Sequence, residues 1–513
     1  MMNKKVFFAS LAVLTLLLLL AAIPLAQADV PCDVRVNNTV GKLLECVTVE
    51  GVRAHQAALQ AIADANSGIR TSGTPGYDAS VDYVAGLLTD AGYNVTIQPF
   101  IFTAFRVLGP STLEQTAPGA VTYVEDTDYS LMDQTDPGDV TAPVTAVDLQ
   151  LGLDNTSTSG CEAADFAGFT AGNIALVQRG TCTFQLKAEN AAAAGAVGVI
   201  IFNQGNTPAR TALFVGTLSA AYAGGIPVFS TSYDRGVEWA STPGLVMHMV
   251  ANVFREFQTT YNVLAETPAG DPNNVVMAGA HLDSVNEGPG IQDNGSGSAA
   301  ILEVALQMAK VQPRNMVRFA WWGAEESGLV GSTYYVNNLT QEERDRIALY
   351  LNFDMIGSPN FVRFIYDGDG SGFGLAGPPG SAEIEALFES FYDARGLAHE
   401  PTEFSGRSDY QAFINNDIPA GGLFTGAEGV KTAEQAAIYG GTAGAQYDPC
   451  YHQACDTFDN ISLEALDQNS DAVAFATLTY AMNTETINGL RGKGNFQPPP
   501  GNSGDHRQDE LLK

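Results

Sequence analysis

The sequence is poor in basic residues and in histidine. It has 25 Lys and Arg against 57 Asp and Glu in 513 residues, a formal net charge of −32, and only 6 His. Nucleic acids and anionic membrane surfaces repel so acidic a chain, so we expect neither as a partner. Hydrophobic residues make up 45% of the chain, an ordinary content for a folded protein, which excludes disorder along most of its length.

Long apolar runs are also scarce, and the one of membrane-spanning length lies near the N-terminus. It covers 6–25, follows the short basic segment 1–5, and ends at Ala26-Gln27-Ala28. This pattern predicts a secretory signal peptide over 1–28, and therefore a secreted, extracellular protein that leaves the membrane after cleavage. The alternative interpretation is an uncleaved anchor helix, because the run is long enough to span a bilayer.

Cysteine is the third scarce residue type, with 6 in the whole chain, and no C-x-x-C pair occurs among them. We therefore do not expect these cysteines to bind zinc. They fall into three couples that are close in sequence, and pairing within each couple would suit an oxidising compartment. The expected disulfides are Cys32–Cys46, Cys161–Cys182 and Cys450–Cys455.

A chain of 513 residues predicts more than one domain, and the texture of the sequence changes along it. Helical periodicity at 52–63 and 79–91 precedes an alternating strand at 93–102. Short β-like runs broken by Gly, Pro and Asp follow, and apolar strands then alternate with helices, as in a sheet covered on both faces. The predicted divisions are a signal peptide (1–28), a first part of the main domain (29–103), an inserted domain (104–255), the rest of the main domain (256–490) and a disordered tail (491–513).

Three consecutive predicted strands, at 275–282, 317–322 and 349–353, are each flanked by a histidine or a carboxylate. Because such sheets place their ligand sites at one edge, we expect these side chains to converge. A further acid lies in a Gly-rich loop, and a further His lies between two cysteines. The candidate residues are His281, Asp283, Asp293, Glu325, Glu326, Asp354 and His452.

Each of these residues also has an ordinary structural interpretation. A lone His after a strand is more often a surface residue, adjacent Glu residues are usually solvated, and an acid such as Asp293 could belong to a turn. The joint occurrence of two His and several carboxylates along one sheet favours zinc, and two ions rather than one. A shared carboxylate would bridge ions ~3.5–4 Å apart that hold a hydroxide between them.

The segments that carry these residues are AHLDS (280–284), GIQDNGSG (290–297), WGAEESGLVGS (322–332), NFDMIG (352–357) and CYHQACD (450–456). They resemble the secreted M28-type dizinc aminopeptidases, and most of all the bacterial leucine-aminopeptidase-like members. The resemblance covers most of 47–103 and 257–487. It implies an α/β fold of the zinc-exopeptidase, phosphorylase/hydrolase-like type, with a mixed twisted central sheet and helices on both faces.

The insert resembles another known module, the protease-associated (PA) domain. The resemblance rests on 160–161, 174–184 and 192–202, and it implies a mostly β domain. Such an insert could bind or gate substrate, or it could be a passive lid or a stabilising lobe.

The resemblance implies a set of metal ligands for two zinc ions per chain. Asp293 resembles the ligand that bridges the ions. His281 and Asp354 would complete one zinc site, and Glu326 and His452 would complete the other.

The resemblance also implies three catalytic roles. Glu325 would be the general base, Asp283 would orient His281, and Tyr451 would hydrogen-bond the developing oxyanion. All ligand positions and the base are filled, so the sequence carries no mark of an inactive relative.

Four further residues resemble positions outside the metal centre. Arg407 and Phe424 resemble substrate-cleft positions, although Arg407 could equally be a structural partner of Asp409. Asp467 and Asp471, spaced i and i+4 on a predicted helix, resemble a calcium site of some relatives, although a solvated acidic face is the alternative.

The predicted function is that of a secreted, monomeric metallo-aminopeptidase, which uses a zinc-bridged hydroxide and Glu325 as general base. Its substrates would be peptides with a free N-terminus, because a cluster of carboxylates favours an ammonium group. The resemblance implies a preference for Leu or other large apolar first residues.

Two kinds of alternative function stay open. A carboxypeptidase or a single-zinc glutaminyl cyclase would use the same fold, but a carboxypeptidase needs basic groups near the metals, and Arg407 is the visible candidate. A non-catalytic receptor on this scaffold would not need every ligand and the base.

Overall fold

A computed structural model of the chain describes residues 31, 32 and 34–489. The predicted signal peptide and the predicted disordered tail lie outside the described residues. Within the described part, no helix combines the length and the apolar character that a membrane crossing requires.

The strands form two eight-stranded sheets. They are β1 (Asn94–Val107), β2 (Thr112–Ala117), β3 (Val121–Thr122), β4 (Tyr129–Leu131), β5 (Gly138–Val147), β6 (Ile174–Gln178), β7 (Gly198–Phe202), β8 (Val228–Thr231), β9 (Val246–Ala251), β10 (Val253–Glu266), β11 (Asp271–His281), β12 (Asn315–Trp322), β13 (Ile347–Phe353), β14 (Phe364–Tyr366), β15 (Glu400–Thr402) and β16 (Ala420–Phe424).

The α-helices lie between and around these strands. They are α1 (Val40–Leu44), α2 (Val49–Ala65), α3 (Pro75–Asp90), α4 (Phe184–Ala193), α5 (Tyr233–Ala240), α6 (Gly295–Met308), α7 (Val330–Asn338), α8 (Gln341–Arg346), α9 (Ser381–Asp393), α10 (Tyr410–Ile414), α11 (Ala433–Tyr439), α12 (Leu463–Met482) and α13 (Glu485–Asn488).

The first sheet has the order β1-β10-β12-β11-β13-β16-β14-β15. Its centre is parallel, because β11 pairs in parallel with β12 and β13, and β13 with β16. The pairs β1–β10, β10–β12 and β14–β16 are antiparallel, so the sheet is mixed. The parallel centre places the carboxyl ends of four strands at one edge.

Helices cover both faces of this sheet, which confirms the predicted fold class. On one face, Trp321 packs in a core with side chains of α2, α3, α6 and α12. On the other face, Trp322 packs with Tyr335 of α7 and Phe413 of α10. Adjacent residues of a strand point to opposite faces, so these two tryptophans belong to separate cores.

The second sheet has the order β3-β2-β9-β5-β6-β7-β8-β4, and β5 to β8 pair in parallel. It lies in the chain between β1 and β10, which pair with each other from Asn94–Glu266 to Val107–Val253. This ribbon joins the insert to the first sheet. The boundaries predicted for the insert, 104 and 255, fall inside the ribbon.

Three disulfide bonds link the cysteines that are neighbours in sequence. They are Cys32–Cys46, Cys161–Cys182 and Cys450–Cys455. The first lies before α2, the second lies in the insert, and the third closes the loop that carries His452.

Candidate metal centre

The candidate ligands converge at the carboxyl edge of the parallel strands. His281 is the last residue of β11, Glu325 and Glu326 follow β12, and Asp354 follows β13. The backbone next to two of these acids is strained, because Ala324 and Met355 have positive φ angles of 53° and 57°. Such conformations cluster at functional sites, where surrounding structure compensates for their cost.

Asp293 is brought to this edge by the start of α6. The side chain of Asn294 caps the helix by accepting the N–H of Gly297, at 2.9 Å. A Cβ on Gly297 would lie 2.1 Å from the carbonyl oxygen of Phe353, so glycine allows the helix to approach the end of β13. Asp293 and Asp354 are therefore neighbours, although they are far apart in sequence.

The carboxylate of Asp293 lies between the two histidines. Its Oδ1 is 3.1 Å from Nε2 of His281, and its Oδ2 is 3.2 Å from Nε2 of His452. His281 Nε2 is also 3.2 Å from Oδ1 of Asp354, and His452 Nε2 is 3.1 Å from Oε2 of Glu326. Two of the groups that these donors form share Asp293, namely His281/Asp293/Asp354 and Asp293/Glu326/His452, and His281, Glu325 and Glu326 form a third.

The composition and burial of these groups fit two zinc ions. Imidazole nitrogen and carboxylate oxygen are donors that zinc accepts, and a shared carboxylate is what a pair of ions requires. Oε1 of Glu326 is buried and has no hydrogen-bond partner among the described residues. A buried carboxylate oxygen without a partner is costly, and a cation would remove that cost.

The electrostatics of the site also indicate a cation. Burial raises the pKa of Glu326 to about 7 and holds the pKa of Glu325 well above its usual value. Burial alone would lower the pKa of His281, but the facing carboxylates, Asp354 first, raise it well above its usual value. So many buried carboxylates in one place need positive charge to stay ionised.

Asp283 contacts His281 and Glu325 on the side away from the cavity. It is fully buried, its main-chain oxygen lies 3.2 Å from Nδ1 of His281, and its Oδ1 lies 3.6 Å from the same atom. The same Oδ1 accepts the main-chain N–H of Glu325, at 3.2 Å. Asp283 therefore contacts both a candidate ligand and the backbone of the candidate base, as orienting residues of metal sites do.

Sequence reasoning missed two polar side chains that hold the ligands. Ser408 donates from Oγ to Oδ2 of Asp354, at 2.5 Å. Asp456 accepts the main-chain N–H groups of Gln292 and Asp293, at 2.8 and 3.0 Å. Asp456 lies inside the segment CYHQACD, and Ser408 directly follows Arg407, so their neighbours in sequence were the available signal.

Arg70 was missed for a different reason. Its guanidinium is fully buried and donates to the main-chain oxygens of Leu282, Pro289 and Gly290. Burial lowers its pKa to about 10, while Asp283 raises it. Its partners are backbone carbonyls, which leave no pattern of side chains, so the sequence carried no signal for it.

A cavity of about 250 Å³ opens beside the centre. Its lining includes both histidines, the four candidate acids at the strand ends and in the loop, and the predicted Tyr451, Arg407 and Phe424. Burial raises the pKa of Tyr451, so its hydroxyl stays protonated. Of the predicted catalytic residues, Asp283 lies behind the cavity lining.

Arg407 pairs with residues other than the one suggested as its structural partner. Its Nη1 is 2.7 Å from Oε1 of Glu428, and its Nη2 donates to the hydroxyl of Tyr451 at 3.1 Å. Among the described residues, the ion pair of Arg407 is with Glu428 and not with Asp409. Arg407 lies at the cavity and contacts a predicted catalytic residue.

Asp467 and Asp471 lie one turn apart on α12. Burial and then the charge of Asp467 raise the pKa of Asp471 to about 6. Among the described residues, no group of three potential metal ligands includes either of them. Calcium at this pair stays a prediction.

Comparisons with known proteins agree with this geometry. The chain matches the model of peptidase family M28 over residues 262–477 and that of the PA domain over residues 140–239. An aminopeptidase of Pseudomonas aeruginosa is 60% identical over 445 residues, which are 87% of this chain and 83% of that protein. Leucine aminopeptidase 2 of Arthroderma otae is 44% identical over 418 residues, 80% of each chain.

A solved structure is similar as well. The zinc aminopeptidase from Bacillus subtilis has a TM-score of 0.60 and 25% identity, covering 86% of this chain and 98% of that one. The resemblance inferred from the motifs is confirmed, since the relatives match over most of their own length. The chain belongs to peptidase family M28 and carries a PA domain.

Proposed function

We propose that this protein is a secreted aminopeptidase that uses two zinc ions to remove the first residue of peptides. The observation that carries the proposal is the carboxylate of Asp293, whose two oxygens each lie within about 3 Å of a different histidine. The relatives that align with this chain over most of their own length are aminopeptidases. The three disulfides and the signal-like N-terminal segment support secretion.

One ion would be held by His281, Asp293 and Asp354, and the other by Asp293, Glu326 and His452. Zinc bound there would act as a Lewis acid on the peptide carbonyl and lower the pKa of water at the site.

Glu325 is placed to move protons. Its Oε2 lies 3.9 Å from Nε2 of His281, its side chain lines the cavity, and Asp283 holds its main-chain N–H. We infer that its carboxylate takes a proton from the attacking water and then gives it to the leaving amine. A buried carboxylate beside the candidate ligands suits both steps, because it can accept a proton from water and pass it to the amine.

Tyr451 is placed to stabilise the oxyanion. Because Arg407 donates to the phenol oxygen, the hydroxyl proton of Tyr451 points elsewhere and remains available to a substrate oxygen. We infer that Tyr451 donates this proton to the carbonyl oxygen as negative charge develops there.

The cavity favours a substrate with a free N-terminus. Apart from the candidate ligands and base, its charged lining consists of Glu403, Glu428 and Arg407, and Arg407 is already paired with Glu428. Apart from the metal site, a substrate carboxylate would find no unpaired basic side chain in this lining, whereas an ammonium group meets the carboxylates of Glu403 and Glu428. This weighs against a carboxypeptidase.

The apolar part of the cavity supports a preference for large apolar first residues. Phe424, Met355, Tyr366 and Tyr447 line it, and Phe364 packs against both Phe424 and Tyr447. Leu or another bulky apolar side chain would bury its surface there.

The test is hydrolysis of Leu-p-nitroanilide by the purified protein before and after chelation. We expect activity to disappear with the metal and return with zinc. Glu325→Gln should lower kcat by roughly 10²–10⁴-fold at unchanged zinc content. Glu342→Gln, on the exposed α8, is the matched control and should keep full activity.

Turnover by Glu325→Gln at the wild-type rate would overturn the assignment of the base. Hydrolysis of N-acetylated peptides from their C-terminus, with no release from unblocked amides, would overturn the aminopeptidase assignment.

A further inference from the structure

A separate acidic group lies in the loop between β14 and α9. Asp367 and Asp369 begin the loop, and Glu385 reaches it from the second turn of α9. One carboxylate oxygen from each of the three lies within 4.8 Å of the others. None of the ion pairs in the described part of the chain involves these residues, so their negative charges face one another without a basic partner.

Asp367 is the residue that points to a ligand. It is fully buried, and its Oδ2 accepts the main-chain N–H groups of Gly372 and Phe373, at 3.0 and 2.8 Å. Its Oδ1 is also buried, yet it has no hydrogen-bond partner among the described residues. Burying a carboxylate oxygen without a partner costs free energy, and a cation bound to Oδ1 would remove that cost.

The other two acids are fixed in place by the loop itself. Oδ1 of Asp369 accepts the N–H of Ser371 at 2.7 Å, and Oε2 of Glu385 accepts the N–H of Asp369 at 3.0 Å. Burial raises the pKa of Glu385 to about 7, and the neighbouring acids add to the shift. The loop therefore holds three carboxylates together in a way that positive charge would stabilise.

The sequence of the loop suits a hard cation. Asp367-Gly368-Asp369-Gly370-Ser371-Gly372 places oxygen side chains at alternate positions followed by glycine, as the first half of a calcium-binding loop does. The third carboxylate comes from α9 rather than from the end of the loop. With only oxygen donors and no histidine, the group favours Ca²⁺ over zinc.

We propose that Asp367, Asp369 and Glu385 bind one calcium ion, outside the zinc centre. The site adjoins the wall of the catalytic cavity, because Tyr366, which lines that cavity, directly precedes Asp367. The main-chain N–H of Asp367 also donates to the carbonyl of Thr402, another lining residue, at 2.8 Å. Calcium would fasten the end of β14 to α9 and so stiffen this part of the cavity wall.

The experiment uses the zinc-saturated protein in calcium-free buffer. Calcium chloride is titrated up to ~10 mM, since extracellular modules bind with Kd of roughly 10⁻⁴–10⁻³ M. Isothermal titration calorimetry measures binding, and the midpoint of thermal unfolding measures stabilisation. We expect calcium, but not equimolar magnesium, to bind and to raise the midpoint.

The variants separate this site from other acidic positions. Asp369 is exposed, so Asp369→Asn should fold normally while weakening calcium binding by about tenfold or more. Asp367→Asn should do the same and lose most of the thermal shift. Asp467→Asn makes the same change of charge on α12 and is the control. It should bind calcium at the Asp369 site as tightly as the wild type does.

Unchanged calcium affinity in both Asp367→Asn and Asp369→Asn would overturn the proposal. So would the absence of any heat or shift with the wild-type protein. Equal binding of magnesium would overturn the assignment to calcium, and loss of all binding in Asp467→Asn alone would place the ion at the other acid pair.

Discussion

The two halves of the candidate metal centre are built differently. The sheet corner, His281 and Asp354, lies at strand ends, and the side chain of His281 is only 1% exposed. The loop corner, Glu326 and His452, includes a loop residue whose side chain is 40% exposed. Packing of the sheet positions His281. His452 is positioned by the nearby Cys450–Cys455 disulfide and by stacking on the ring of Tyr451, with 3.8 Å between the two ring centroids.

This difference in burial predicts different roles for the two corners, one in binding its ion tightly and the other in contacting the substrate. A buried, sheet-borne ligand is held by the whole core, so the sheet corner should bind its ion most tightly. At the loop corner His452 is open to solvent and has Tyr451 beside it, whereas the side chain of Glu326 is buried. We therefore expect the loop corner to exchange its ion faster and to contact the substrate more directly.

Among the changes that compare the two corners, the largest effect should come from the hydroxyl of Tyr451, beside the loop corner. Tyr451→Phe removes one hydrogen-bond donor to the oxyanion, which should lower kcat by roughly 10²–10³-fold while zinc content stays unchanged. Tyr447→Phe is the matched control, because it keeps the ring that lines the same cavity and removes a hydroxyl that donates to Gln435 at 2.7 Å. Steady-state kinetics on Leu-p-nitroanilide measure both, and equal losses in the two variants would show a general packing effect.

A smaller effect should appear when the support of the sheet corner is weakened. Asp283→Asn removes the charge beside His281 and should weaken one zinc site by about 10–100-fold. Competition with a chromogenic chelator measures the two affinities separately. The second, weaker site should keep its affinity, and a loss confined to that site would reverse the assignment of the corners.

The smallest effect should come from the disulfide of the loop corner. Opening it with Cys450→Ser and Cys455→Ser loosens the loop, so the weaker zinc site should lose about tenfold in affinity. The same chelator competition reads this out. Removing Cys161–Cys182, which lies in the insert, is the control and should change neither zinc affinity.

The positions of His281 and Asp354 could be predicted from the sequence because they lie at the ends of long apolar strands. The runs at 275–282 and 349–353 are apolar and buried almost throughout, so their ends could be located before the fold was known. The short strands β14 and β15 could not be predicted in this way, because three residues are too few to show periodicity.

The role of residues that support the backbone was also beyond sequence reasoning. The guanidinium of Arg70 donates to main-chain oxygens, and Asp456 accepts main-chain N–H groups from the segment before α6. These contacts join loops that are distant in sequence, so they depend on the tertiary fold. The loop at Asp367 shows the same limit, since its third acid, Glu385, comes from a different element.

The most direct test of two ions sharing Asp293 is the number of zinc ions bound per chain at saturation. Metal analysis of the dialysed protein should give two ions for the wild type and one each for His281→Ala and His452→Ala. Asp293→Ala should retain less than one, because both groups lose a ligand. One ion in the wild type, or two in Asp293→Ala, would contradict a centre built around a shared carboxylate.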